Sequence, residues 1–217
     1  MRTELVNPGT LPEISQEFEL ADPGIYLRRT ADVLAQLSVS AIEMIVDRLF
    51  QAYTENRSVY VFGNGGSAAL ASHAACDLGK GTVTNGNKFF RIISLTDNVP
   101  LITAWANDAR YEDIFAAQLR PLIQPGDIAF AISGSGNSPN VLKALCSSRE
   151  AGGFNVGLSG FQGGEMKALC DLCVIVPSEN MQQIEDSHLC LVHAIFLAIC
   201  NSIRKADSVL TRHAGVQ

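Results

Sequence analysis

Basic residues are scarce in this chain. Its 217 residues carry 16 Lys and Arg against 22 Asp and Glu, a formal net charge of −6. Binding to a phosphate backbone draws on clustered Lys and Arg, and with no such cluster a sequence-independent nucleic-acid surface is excluded. Long apolar runs are missing too. No segment reaches the roughly 18 uninterrupted apolar residues of a membrane helix, and the N-terminus has no basic stretch leading into an apolar one. We therefore expect a soluble cytoplasmic protein with neither nucleic acid nor membrane as partner. There is no internal repeat and no low-complexity tract, which sets solenoids aside.

Cysteine is present but unpaired by pattern. Cys76, Cys146, Cys170, Cys173, Cys190 and Cys200 lie mostly in apolar helical or strand patterns and read as buried thiols. Cys170-Asp171-Leu172-Cys173 lacks the second pair a zinc knuckle needs and runs into a strand, so it too reads as structural.

What the chain does have is alternation. With 47% hydrophobic residues it can bury one sizeable core. Residues 1–22 are polar, with scattered Pro and Gly, and are expected to form an arm or a short helix rather than a core element. From Tyr26 to about Thr54, Leu34, Leu37, Ile42, Ile45, Val46 and Leu49 recur at helical spacing, as one long helix or two. Strands follow near 58–62, 91–95, 127–132, 154–158 and 172–176, with helices near 66–78, 98–106, 138–151, 164–169 and 181–205. Strands separated by helices require crossover connections, hence an α/β fold with a five-stranded parallel sheet flanked by helices. The division expected is a helical N-terminal extension over 1–57, a core over 58–205 and a frayed tail over 206–217.

Two strands run straight into small-residue loops that open helices: Val59–Phe62 into Gly63-Asn64-Gly65-Gly66-Ser67, and Ile128–Ile132 into Ser133-Gly134-Ser135-Gly136-Asn137-Ser138. Glycines let a backbone approach an anion, and the first-turn N–H groups of a helix lack intrahelical partners, so both loops suit a phosphate. Ser138 before Pro139 reads as an N-cap followed by proline at the first helical position. Both loops fall at the carboxyl ends of strands, where parallel sheets bind ligands.

Three of the four histidines lie in two helices beside carboxylates. His73 and Asp77, at i and i+4, share one helix face. Glu185 and His193 project about 80° apart and can serve one site two turns tall, whereas His188 points away and reads as structural. A His-plus-carboxylate pair from each helix suits a metal and equally suits acid–base chemistry on a sugar.

Together these loops, helical pairs and the strand order resemble the sugar isomerase (SIS) domain family, and within it the phosphoheptose isomerases. The resemblance rests on Gly63–Ser67, His73, Asp97, Asn107-Asp108, Ile132–Ser138 and the helix from Ile184 through Glu185 to His193. It implies that Asn64, Gly65, Gly66 and Ser67 with Ser133, Gly134, Ser135 and Ser138 hold a sugar phosphate. It also implies that Asp97, Asn107, Asp108 and Glu185 contact the substrate, that His73, Asp77, Glu185 and His193 bind zinc, and that Asp77 and His193 are catalytic. Asp77 stands where the family has glutamate, and Glu185 where it has glutamine. The implied activity is aldose–ketose isomerisation of sedoheptulose 7-phosphate to a heptose 7-phosphate through an enediol, in a homotetramer. The family also contains isomerases of other sugar phosphates, sensor domains of transcription regulators, and non-catalytic proteins that bind a replication initiator. The last lack the carboxylate and histidine that this chain keeps as Asp77 and His193.

Overall fold

In the computed structural model, residues 22–83 and 88–214 are described, with side chains up to Ser208; the expected arm lies almost wholly outside them. Two helices open the described chain, α1 (Pro23–Ala35) and α2 (Val39–Thr54). Each start has its own cap: Asp22 Oδ1 accepts from the Ile25 N–H at 2.9 Å, and Ser38 Oγ from the Ala41 N–H at 3.3 Å. The periodicity from Tyr26 to Thr54 is therefore two helices, interrupted where Ser38 begins the second.

Five strands then alternate with helices: β1 (Val59–Gly63), α3 (Gly66–Gly81), β2 (Ile92–Ser94), α4 (Val99–Asp108), a 3₁₀ turn (Tyr111–Asp113), α5 (Ala116–Leu119), β3 (Ile128–Ser133), α6 (Pro139–Glu150), β4 (Phe154–Ser159), α7 (Met166–Leu169), β5 (Leu172–Ile175) and α8 (Met181–Ala214). All pairings are parallel, in the order β2-β1-β3-β4-β5. The expected sheet is thus present at the expected positions. Helix α8 runs past the expected limit, through residues read as a tail.

Alternation along β1 and β3 splits the core between two faces. Val59, Val61, Ile128, Phe130 and Ile132 pack with Ile45 and Leu49 of α2, Leu70 and Leu78 of α3, and Ile184, Leu191, Ile195 and Ile199 of α8. Tyr60, Phe62, Ala129 and Ala131 face Phe115, Leu119, Val141 and Leu145 on the other side. Residues 181–208 are long and apolar enough, by length and composition, to cross a membrane. Here that apolar length seals the first of these core faces.

The cysteines are all free thiols, as expected, but only Cys200 is buried. Cys76, Cys146 and Cys190 fall on outward helix faces, which apolar neighbours in sequence do not reveal. Cys170 and Cys173 share a hydrogen bond that pushes the Cys170 thiol up and the Cys173 thiol down.

Strand order decides where the ligand goes. From β1 the chain passes outward to β2, then returns to lay β3 on the other side of β1, making the β1/β3 boundary a topological switch point. Gly63 pairs in register with Ile132, so the two small-residue loops leave the sheet side by side.

His188, on α8, is fully buried, and its Nε2–H donates to the Ser159 carbonyl at 3.1 Å. Burial lowers its pKa to about 4, against an ordinary 6.5. Between those values the unfolded chain binds the proton more readily than the folded one, so stability is intact above pH 6.5 and falls as pH drops towards 4. The shift corresponds to about 3 kcal/mol. His188→Gln keeps a side-chain N–H for Ser159 and removes the titration. In urea unfolding at pH 7 and pH 4.5, the wild type is expected to lose about 2 kcal/mol more stability than the variant, since pH 4.5 is still above the folded-state value; an equal loss in both would refute the assignment.

Candidate active site

Helices α3 and α8 lie side by side and run in the same direction. Glu185 meets Gly66 at their starts, His193 meets His73 in the middle, and Phe196 meets Gly81 near the end of α3. A cleft of about 350 Å³ opens between their first turns, walled by Gly66, Leu70 and His73 on one side and Glu185, His188 and Leu189 on the other.

One constellation converges. His73 Nε2 and His193 Nε2 are 2.9 Å apart, and Asp77 Oδ2 lies 3.3 Å from the first and 3.8 Å from the second. The i,i+4 spacing on α3 puts His73 and Asp77 on one face, and packing against α8 brings in His193 from 120 residues away. Asp77 has one methylene fewer than glutamate and still reaches both rings. Donors bound at about 2.0–2.1 Å to a tetrahedral ion sit about 3.3 Å from one another. The three separations here bracket that value, so this His–Asp–His set fits a divalent metal with only small adjustments.

Glu185 stands apart from this cluster. Its carboxylate lies against the first residue of α3, where a Cβ on Gly66 would come within 2.9 Å of Glu185 Oε2. Any larger residue there would push that flexible carboxylate aside. Since the N-terminal end of a helix favours negative charge, the structure places the protein's own carboxylate at one of the two positions where a phosphate was expected.

The other loop is differently built. Gly136 adopts φ +65°, and a Cβ on it would collide with the Gly163 carbonyl oxygen at 2.2 Å. Its N–H reaches the Ser133 carbonyl at 3.0 Å and Ser133 Oγ at 3.2 Å, and the Asn137 N–H reaches Ser135 Oγ at 3.2 Å. Ser138 is the N-cap of α6 with Pro139 behind it, as expected, but its hydroxyl makes no capping bond. It lies 3.5 Å from Ser133 Oγ instead. Hydroxyls of Ser133 and Ser138 thus meet at the start of α6, with Ser135 in the loop between them.

The remaining candidates scatter. Ser67 is buried in the first turn of α3 beside the cleft. Asp97 accepts from Ser72 Oγ and borders a separate hollow of about 510 Å³ with Ser94 and Asn98. Asn107 donates to Asp108 Oδ1 at 2.8 Å at the exposed end of α4.

Three polar contacts near the site were not anticipated. The Tyr26 phenol of α1 donates to Asp186 Oδ2 at 2.5 Å. Burial first, then the Asp186 hydrogen bond and charge, push this phenol up to about 12, so it stays a donor at neutral pH. Asn140 and Tyr111 both bond to Asn64. No local spacing signals any of these, because each joins elements distant in sequence; a polar Asn one residue inside an otherwise apolar helix start was the only hint.

Comparison with known proteins agrees with this architecture. The SIS domain family matches residues 25–160. The phosphoheptose isomerase of Pelobacter propionicus is 37% identical over 159 residues, covering 73% of this chain and 82% of that protein. That of Helicobacter hepaticus is 39% identical over 155 residues, covering 71% and 79%. Among solved structures, the phosphoheptose isomerase from Neisseria gonorrhoeae superposes with a TM-score of 0.76 at 27% identity, covering 88% of this chain and 99% of that one. The chain therefore belongs to the SIS domain family and, within it, to the phosphoheptose isomerases.

Proposed function

We propose that this chain interconverts sedoheptulose 7-phosphate and D-glycero-D-manno-heptose 7-phosphate. The observation that carries the reading is the joining of a carboxylate and two imidazoles, Asp77 with His73 and His193, in a chain whose serine-rich loop opens a second helix at Ser138. One part suits proton transfer and the other suits a phosphate.

The phosphate goes to the hydroxyls of Ser133, Ser135 and Ser138 at the positive end of α6. The loop before α3 takes the sugar chain, because Glu185 already supplies negative charge at Gly66. In the open-chain ketose, Asp77 removes a proton from C1 and the electrons of that bond form the C1–C2 double bond. His193 delivers a proton to the C2 oxygen, giving the enediol. Loss of the O1 proton and return of a proton to carbon at C2 complete the aldose. One carbon-bound proton leaves and one returns, so C1 is oxidised, C2 is reduced, and no outside redox partner is needed.

His73, Asp77 and His193 would hold zinc, three protein ligands being the count of a catalytic site. When bound, the ion supplies polarisation of the substrate carbonyl. Asp97, Asn107, Asp108 and Glu185 are assigned to the substrate on the family resemblance, with Glu185 reaching a sugar hydroxyl across the cleft. The convergence of Asp77 and His193 favours this enzymatic reading over a binding protein that does no chemistry.

Leu27 of α1, Val39 and Met44 of α2 and Leu197 of α8 are more than half exposed, at 68%, 65%, 54% and 64%. Large apolar side chains in such numbers suit burial between copies, and we assign a cytoplasmic homotetramer. The activity is tested by incubating the protein with ketose phosphates of five to seven carbons and following aldose signals by NMR. Sedoheptulose 7-phosphate is expected to give the fastest conversion; faster turnover of a shorter ketose would move the substrate assignment.

A further inference from the structure

The two loops at the switch point are joined by a pair of side-chain amides. Asn64, just after β1, donates through Nδ2 to Asn140 Oδ1 at 2.9 Å, and Asn140, the second residue of α6, donates back to Asn64 Oδ1 at 2.8 Å. An amide could be turned end for end, but here the backbone decides. The Val141 N–H lies 3.0 Å from Asn140 Oδ1, and turning Asn140 around would set an NH₂ group against that N–H, donor facing donor.

With Asn140 held, the reciprocal pair holds Asn64. Tyr111 then adds a third contact, its hydroxyl donating to Asn64 Oδ1 at 3.0 Å. The segment carrying Tyr111 is itself tied to α6, where Lys143 Nζ meets Asp113 Oδ1 at 2.6 Å. Counting donors and acceptors gives a definite result. Both lone pairs of Asn64 Oδ1 are occupied, by Asn140 and Tyr111, and one of its two Nδ2 hydrogens is used. A single N–H is left over.

We infer that Asn140 and Tyr111 are positioning residues that make Asn64 a donor only, presenting one N–H to an oxygen acceptor on the carbon chain of the bound sugar phosphate. Asn140 is only 2% exposed, so its amide serves Asn64 rather than the ligand. Asn64 sits in the loop that opens α3 and is joined through Asn140 to the start of α6. A ligand whose phosphate is held by the serine loop and whose carbon chain is taken by the loop before α3 meets Asn64 with its carbonyl or hydroxyl oxygens. The choice of this ligand class rests on the isomerase reading; the amide pair does not.

The test uses the full chain as wild type, Asn140→Leu and Tyr111→Phe. Calorimetric titrations with sedoheptulose 7-phosphate and with inorganic phosphate are expected to show about tenfold weaker sugar-phosphate binding for Asn140→Leu and about threefold for Tyr111→Phe, on the scale of one to two hydrogen bonds. Affinity for inorganic phosphate is expected to stay unchanged in both. In kinetics the same variants raise KM and leave kcat within about twofold. Equal weakening of both ligands would mean that the pair merely supports the loops, and no weakening of either would mean that it does not position Asn64; each result overturns the proposal. Tyr111 is 58% exposed, so Tyr111→Phe keeps the test open if Asn140→Leu fails to fold. A nitrogen-15 spectrum of the ligand-free protein checks the pair itself: the Asn64 side-chain hydrogens should be well separated in wild type and converge in Asn140→Leu, and free-amide behaviour in wild type would also overturn it. Wild type that binds the sugar phosphate without turning it over would overturn the isomerase reading and leave this one standing.

Discussion

Asp77→Asn is expected to bind sedoheptulose 7-phosphate within about threefold of wild type and to lose about 10²–10⁴-fold in kcat, the usual contribution of a positioned general base. The substitution is isosteric and removes the carboxylate that accepts the carbon-bound proton and that would also ligate the zinc. The phosphate site proposed at Ser133–Ser138 lies on another helix start and should be untouched. Asp77 also lies 3.3 Å from His73 Nε2, so the variant tests the cluster as a unit. Calorimetry alongside steady-state rates separates the two effects. Equal losses in affinity and rate would show that Asp77 holds the substrate rather than the proton.

Ser133→Ala combined with Ser135→Ala is expected to weaken sugar-phosphate binding at least a hundredfold. Each hydroxyl that donates to a charged phosphate contributes on the order of 1.5 kcal/mol or more, and no basic side chain among the loop residues can substitute. The backbone of the loop should survive, because the Gly136 N–H keeps the Ser133 carbonyl at 3.0 Å when the hydroxyl is gone. Inorganic phosphate should weaken in parallel, unlike its behaviour in the Asn140 and Tyr111 variants. Unchanged affinity in a well-folded double variant would move the phosphate away from this loop.

The parts of this site written in local spacing were legible from the sequence. His73 and Asp77 are one helical turn apart, and their shared face follows from helix geometry alone. The Ser138-Pro139 start of α6 was visible for the same reason, though not that the Ser138 hydroxyl would be left free of the cap. Sheet order, by contrast, is not encoded in any one segment. Nothing between Gly63 and Ile128 announces that β2 lies outside β1, yet this order sets the two loops together and brings Asn64 to Asn140 across 76 residues. Glu185 was read as part of the histidine cluster because it sits two turns from His193. Its place is instead decided by what lies opposite, the bare Cα of Gly66 and the positive end of α3.

Helix α8 shows a similar limit. Its apolar positions were counted as far as 205, where the core contacts thin out, but a helix needs only its own backbone hydrogen bonds to continue, and this one runs to Ala214.

The central claim is that this protein moves a proton between C1 and C2 of a ketose phosphate, and the most direct measurement is solvent exchange. Sedoheptulose 7-phosphate is incubated in deuterium oxide with wild type and with Asp77→Asn, and its C1 position, together with C2 of the aldose formed, is followed by NMR. Wild type is predicted to introduce deuterium at both carbons, through an enediol that equilibrates with solvent, while Asp77→Asn introduces none. No deuterium at either carbon with wild type, under conditions where calorimetry shows the sugar phosphate bound, would contradict the account.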